Sequence, residues 1–321
     1  MTPLTSGFCI KYISGHLLDQ PSRLATKAPP GTFPYLDSQC LTSSTVNIVS
    51  GFSVERELMS NFGVRTGVVW NGQRQIFAQV NVNRPLRAYD VPISIRDPGP
   101  DGRLGTADDG NTFTAYNLST NVLSQPVVNI TKNIPDIKND FYTWEITATK
   151  RETGRWSLLG SFAKTWNRVT NFGKQATFIS SYSPSSFINT VDGENRYTTW
   201  QGKIMGSVSL PWDVRISPML RHQSGTPFGR TFVAALNYGN AIVLAEPVGA
   251  RRTDNISVFD VRAEKGFSLG RGVRAVGFLD VYNISNTNAA FTVAQNSGSA
   301  FLRPSTVTAP RIARVGMQLL W

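Results

Sequence analysis

The chain has 321 residues, of which 17% are charged and 11% aromatic, with a formal net charge of +11. So few charges, against roughly 25% in soluble domains, with no window near the roughly 20 apolar residues that a spanning helix needs, exclude a helical membrane protein and leave a membrane barrel open. The Lys and Arg stand singly inside alternating segments, as at Arg65, Lys203, Arg215, Arg221, Arg262, Arg274 and Arg314, so no nucleic-acid partner is expected, because such partners are met by a clustered basic face.

Residues 1 to 45 are rich in Pro, Ser, Thr and Gly without periodicity and read as loop. Cys9 and Cys40 lie there; they permit one disulfide and fit no metal pattern. MTPLTSGFCIKYISG has neither the early basic cluster nor the apolar run of a secretory signal. Beside the strand pattern that follows, this predicts the C-terminal piece of something longer.

From Val46 the sequence alternates with the period of two that a strand imposes. Strands are predicted over 46–58 and 62–70, then, after a long irregular stretch over roughly 71–139 whose core RDPGPDGRLGTADDG cannot be regular structure and whose ends extend the flanking strands, over 141–151 and 156–166. A further pair is predicted over 198–210 and 214–223, where Pro218 predicts a bulge or an imperfect ladder. The last three run over 257–267, 273–283 and 311–321. Nine strands result, and short links (59–61, 153–155, 211–213, 268–272) alternate with long ones. In an antiparallel sheet that places all tight turns at one end and all long loops at the other, which is the plan of an up-and-down outer-membrane barrel. The competing fold is a β-sandwich, a secreted or surface all-β binding protein that uses its long loops for recognition.

Three segments carry a resemblance: TWQGKIMGSVSLPWDVRISPMLRHQSGTPFGRTF, ISVFDVRAEKGFSLGRGVRAVGFLDVYNISNTN and PRIARVGMQLLW. Their features are a Leu210-Pro211-Trp212 turn, a Gln223-Ser224-Gly225-x-Pro227 stretch, a strand with Phe259, Asp260, Arg262 and Lys265, and a run of Asp280, Asn283, Asn286 and Thr287. In this order they resemble the C-terminal barrel of TonB-dependent receptors of the Oar-like group, over most of residues 46 to 321. The resemblance implies a bacterial outer-membrane protein that meets outer-membrane lipid and the barrel-assembly machinery. It implies that the plug and the segment contacting TonB belong to an N-terminal part not visible in this sequence, so that this portion does not transport an as yet unknown ligand by itself. It also implies that Arg314, Gly316, Leu319 and Trp321 form the terminal assembly signal.

The polar residues Lys203, Arg215, Arg221, Asp260, Arg262, Glu264, Arg274 and Asp280 share the inward parity and would face the lumen of a barrel, pairing across neighbouring strands. Asp97, Asp101, Asp108 and Asp109, among Gly99, Gly102, Gly105 and Gly110, offer hard oxygen ligands for Ca²⁺, the single cofactor the sequence admits, in a spacing that is not an EF-hand. A solvated turn is the preferred reading of them. His16 and His222 belong to no Ser/His/Asp or metal cluster, and no enzyme is expected.

Overall fold

The computed structural model describes residues 45–134, 137–170, 174–175 and 183–321. Cys9, His16, Cys40 and all but the last residue of the expected N-terminal loop lie outside them. Among the described residues nine long strands form one sheet: β1 (Val46–Met59), β2 (Phe62–Arg74), β3 (Asn139–Thr153), β4 (Trp156–Thr170), β5 (Glu194–Leu210), β6 (Val214–Gln223), β7 (Ile256–Gly270), β8 (Val273–Tyr282) and β9 (Ile312–Leu320). Their order in the sheet is their order in the chain, and every neighbouring pair is antiparallel. The expected strands are all present, several of them longer at the ends that lead into the long connections.

The hairpin turns explain why the register is fixed. Tight hairpins that match strand twist need residues at positive φ, and each short link supplies them: Asn61, Gly154, Trp212 with Asp213, and Arg271 with Gly272. Pro218, which has no N–H to donate, produces an interruption rather than a bulge. The β5–β6 pairing lapses between Met205–Met219 and Val208–Ile216 and resumes in the same register, while Pro218 stays opposite Val261 on the other side.

The long connections correct the sequence expectation. The stretch between β2 and β3 is not irregular throughout: it contains a pairing of Phe77–Asn81 with Asn129–Asn133 and a hairpin of Val91–Arg96 with Thr112–Asn117. The Gly/Asp/Pro-rich segment is the tip of that second hairpin. Between β6 and β7 a further hairpin joins Thr231–Leu236 to Gly239–Leu244. These two hairpins pack on each other through Ala88, Ile95, Ala115, Leu118, Phe232 and Val243, and build the main buried core of the described residues. Tyr89 and Tyr238 meet edge to face at 5.1 Å inside it, and burial pushes the Tyr89 phenol up to about 12. The core therefore belongs to the long connections and sits at one end of the sheet.

Candidate functional site

Tracing the registers from strand to strand separates the sheet into two chemically distinct faces. On one, Phe52 lies opposite Val68 and Val68 opposite Trp144. Farther along, Ile204 lies opposite Leu220, Leu220 opposite Phe259, and Leu279 opposite Val315. This face is predominantly apolar across the nine strands, with Lys164 opposite Trp144 as an exception, and open to its surroundings: Phe52 is 69% exposed, Ile204 53% and Val315 80%. Ala275 is the only buried apolar residue on it among the described residues.

Aromatic residues bound the apolar band. At the end of the long connections, Trp70, Tyr142 and Trp166 stand in one cross-strand row. At the turn end lie Trp156, Trp212 and Trp321. From Trp156 to Trp166 along β4, a rise of about 3.3 Å per residue gives about 33 Å. Cations cluster at the margins, with the Arg74 guanidinium 5.7 Å from the Trp70 ring, Arg168 5.7 Å from Tyr142 and Lys150 4.0 Å from Trp156. Lys164, one row inside, lays its ammonium 5.1 Å from the Trp166 ring, as a long amphipathic side chain does when its head reaches for a polar margin.

The opposite face is polar and brings together all eight residues expected to share the inward parity. Asp280 of β8 is nearly fully buried and binds Arg314 of β9 at 2.6 Å and Arg262 of β7 at 3.7 Å. Arg262 also holds Glu264 at 2.6 Å. Arg215 binds Glu152 at 2.6 Å and donates to Ser207 at 3.0 Å, Arg274 binds Asp213 at 2.7 Å, and Asp260 accepts the Asn283 N–H at 2.7 Å. Lys203 and Arg221 face each other directly across β5 and β6, and neither has an ion pair or hydrogen bond among the described residues.

The terminal strand is held by a device that the sequence pattern did not reveal. Phe278 occupies polar parity on β8, and its ring lies over Gly316 of β9; a Cβ on Gly316 would fall 2.3 Å from Cζ of that ring. Arg262 and Arg314 approach the same ring to 4.2 and 5.6 Å. An aromatic residue off the apolar parity, paired with a glycine, was the available signal. Leu319 and Trp321 stand on the apolar face, Trp321 95% exposed. Gly316→Val is expected to destabilise the β8–β9 pairing by about 1–3 kcal/mol, the usual cost of overpacking. Hydrogen exchange of β9 amides measures it, and Phe278→Ala in the same chain is expected to restore much of the loss.

The shared motif residues also turn out to be structural. Asn283 donates to the carbonyls of Thr287 and Ala309 and accepts from the Thr287 N–H, while Asn286 accepts the Arg311 N–H, which pins the entry to β9. Gly225 is needed because a Cβ there would fall 1.8 Å from the Thr253 carbonyl oxygen. The hydroxyl of Ser224 accepts the Trp200 N–H, and His222 pairs with the Ser257 hydroxyl at 2.7 Å.

The four acidic residues of the 97–110 segment are divided among separate tasks. Asp97 is buried and held by Arg230 through two contacts of 2.6 Å, one to each carboxylate oxygen. Asp101 accepts the Arg103 N–H, and Asp109 accepts the Gly105 N–H and meets Arg96 at 3.3 Å. The Thr106 hydroxyl, donating at 2.6 Å, and the Asp101 N–H hold the Asp108 carboxyl below its ordinary range. Among the described residues no three His, Cys, Asp or Glu side chains group as a metal site. The segment is a hairpin tip whose carboxylates accept from its own backbone donors, with Asp97 in an ion pair. Neither family models nor curated proteins match the chain.

Proposed function

We propose that this chain forms part of the outer-membrane barrel of a TonB-dependent receptor, with the apolar face toward lipid, the polar face toward the lumen and the packed long connections outside the cell. The observation that supports this most is the open apolar face. A water-soluble fold covers such a surface, because contiguous exposed apolar patches beyond a few hundred Å² mark an interaction site. Here the buried core lies elsewhere, in the long connections. The aromatic residues at both margins suit the aromatic girdles of such barrels, and at the tilt usual for their strands the band would stand about 25 Å tall. The polar face, with its ion pairs, suits a lumen that holds water and a plug.

Among the described residues, β1 and β9 each pair on one side only. In lipid every unpaired backbone group costs several kcal/mol, so the working form pairs these edges with further strands. Plug and TonB contact belong in this proposal to the remainder of the receptor, and uptake is a property of the whole. The expected result is recovery in the outer-membrane fraction with a gel mobility that shifts on heating, as folded barrels show when denatured. Recovery from the periplasm or medium, with no heat shift, sinks the proposal and favours the secreted binding protein.

A further inference from the structure

We propose that the polar face between β5 and β6 is a binding site for an acidic saccharide. On this face two cross-strand pairs follow each other: Gln201 opposite Gln223, then Lys203 opposite Arg221. Like charges placed directly opposite across a ladder repel and destabilise it, and among the described residues no carboxylate pairs with either cation. The nearest acid on the adjacent strand, Asp260, sits beside Met219 rather than Arg221 and has one carboxylate oxygen on the Asn283 amide. A pair of cations that the protein leaves unneutralised favours an anionic ligand.

The face is concave at the neighbouring Gln201–Gln223 pair. A groove of about 440 Å³ opens on this face and is lined by Thr165, Tyr197, Thr199, Gln201, Gln223 and Thr226. Amides and hydroxyls both donate and accept, as a polyhydroxylated ring requires, and the Tyr197 ring offers a flat apolar surface for a sugar face. Neither Gln side chain has a hydrogen-bond partner among the described residues. Hydroxyl recognition in the groove, with two cations at its border, selects a sugar that bears carboxylates. The inference rests on the barrel reading in one respect, that this face is the water-filled side.

The test titrates the folded chain in detergent with trigalacturonate, maltotriose and inorganic phosphate by calorimetry, scoring the heat shift on the same preparations. Trigalacturonate is expected to bind at least tenfold more tightly than maltotriose or phosphate, and less tightly as salt rises. Lys203→Gln with Arg221→Gln is expected to bring it down to the level of maltotriose, whereas Lys203→Arg retains it. Equal binding of the acidic and neutral sugars, equal binding of phosphate, or an acidic preference that survives the double substitution overturns the site. Each such failure in protein that keeps its heat shift counts against the site alone and leaves the barrel reading standing.

Discussion

Arg230→Ala is expected to unfold the packed long connections while leaving the nine-stranded sheet intact. Arg230 and Asp97 expose only 7% and 3% of their side chains, lie 133 positions apart in sequence, and join the hairpin from the β2–β3 connection to the one from the β6–β7 connection. The guanidinium also meets Glu246 at 3.3 Å and the Ser297 hydroxyl at 2.8 Å, so three connections converge on it. Truncation leaves the Asp97 carboxylate buried with its main counter-charge gone, and breaking a buried pair from one side costs about 3–5 kcal/mol. The loss exceeds anything expected at an exposed pair such as Arg274 with Asp213, where solvent screening leaves about 1 kcal/mol or less. Hydrogen exchange reads the outcome directly. Protection is expected to fall in 91–96, 112–117 and 231–244 and to persist in β5 and β8. Asp97→Asn, which keeps the shape and loses the charge, is expected to reproduce part of the effect; unchanged protection in both variants would show that the apolar packing alone holds the connections together.

What could be read from the residues, and what could not, follows from the range over which the information acts. Strand period and turn chemistry are local. Val214, Ile216 and Leu220 alternate with Arg215, Ser217 and Arg221 whatever happens elsewhere, and the positive-φ residues of the short links fix each hairpin before any distant contact forms. The nine strands and the division into two faces were therefore legible. The short strands of the long connections were not, because each is held by pairing or packing outside its own segment: Val91 pairs with Asn117 across the Gly-rich tip, and Phe232 stacks on Phe113 from a connection more than a hundred residues later. Asp97 reads as a metal ligand beside Asp101, Asp108 and Asp109 only while Arg230 is unplaced. Phe278 was overlooked for a different reason, since a large apolar residue at polar parity looks like a break in the pattern until Gly316 is set opposite it.

Ile204→Arg separates a lipid-facing sheet from a water-facing one more sharply than any measurement of location. Ile204 lies near the middle of the apolar band, opposite Gly160 on one side and Leu220 on the other, and is more than half exposed. If lipid covers this face, an arginine at the bilayer midplane costs about 2–4 kcal/mol. If water covers it, the same change at an exposed position stays within about 0.5 kcal/mol. The next residue supplies the control, because Met205 lies on the polar face and Met205→Arg puts the same charge at nearly the same height toward the lumen. Denaturant titration in phospholipid vesicles is expected to show a large loss for Ile204→Arg and a small change for Met205→Arg. Because adjacent strand residues point to opposite faces, the difference between the two variants cancels the effect of height in the membrane, and a loss of about 2–4 kcal/mol confined to Ile204→Arg reports the solvent on its side of the sheet.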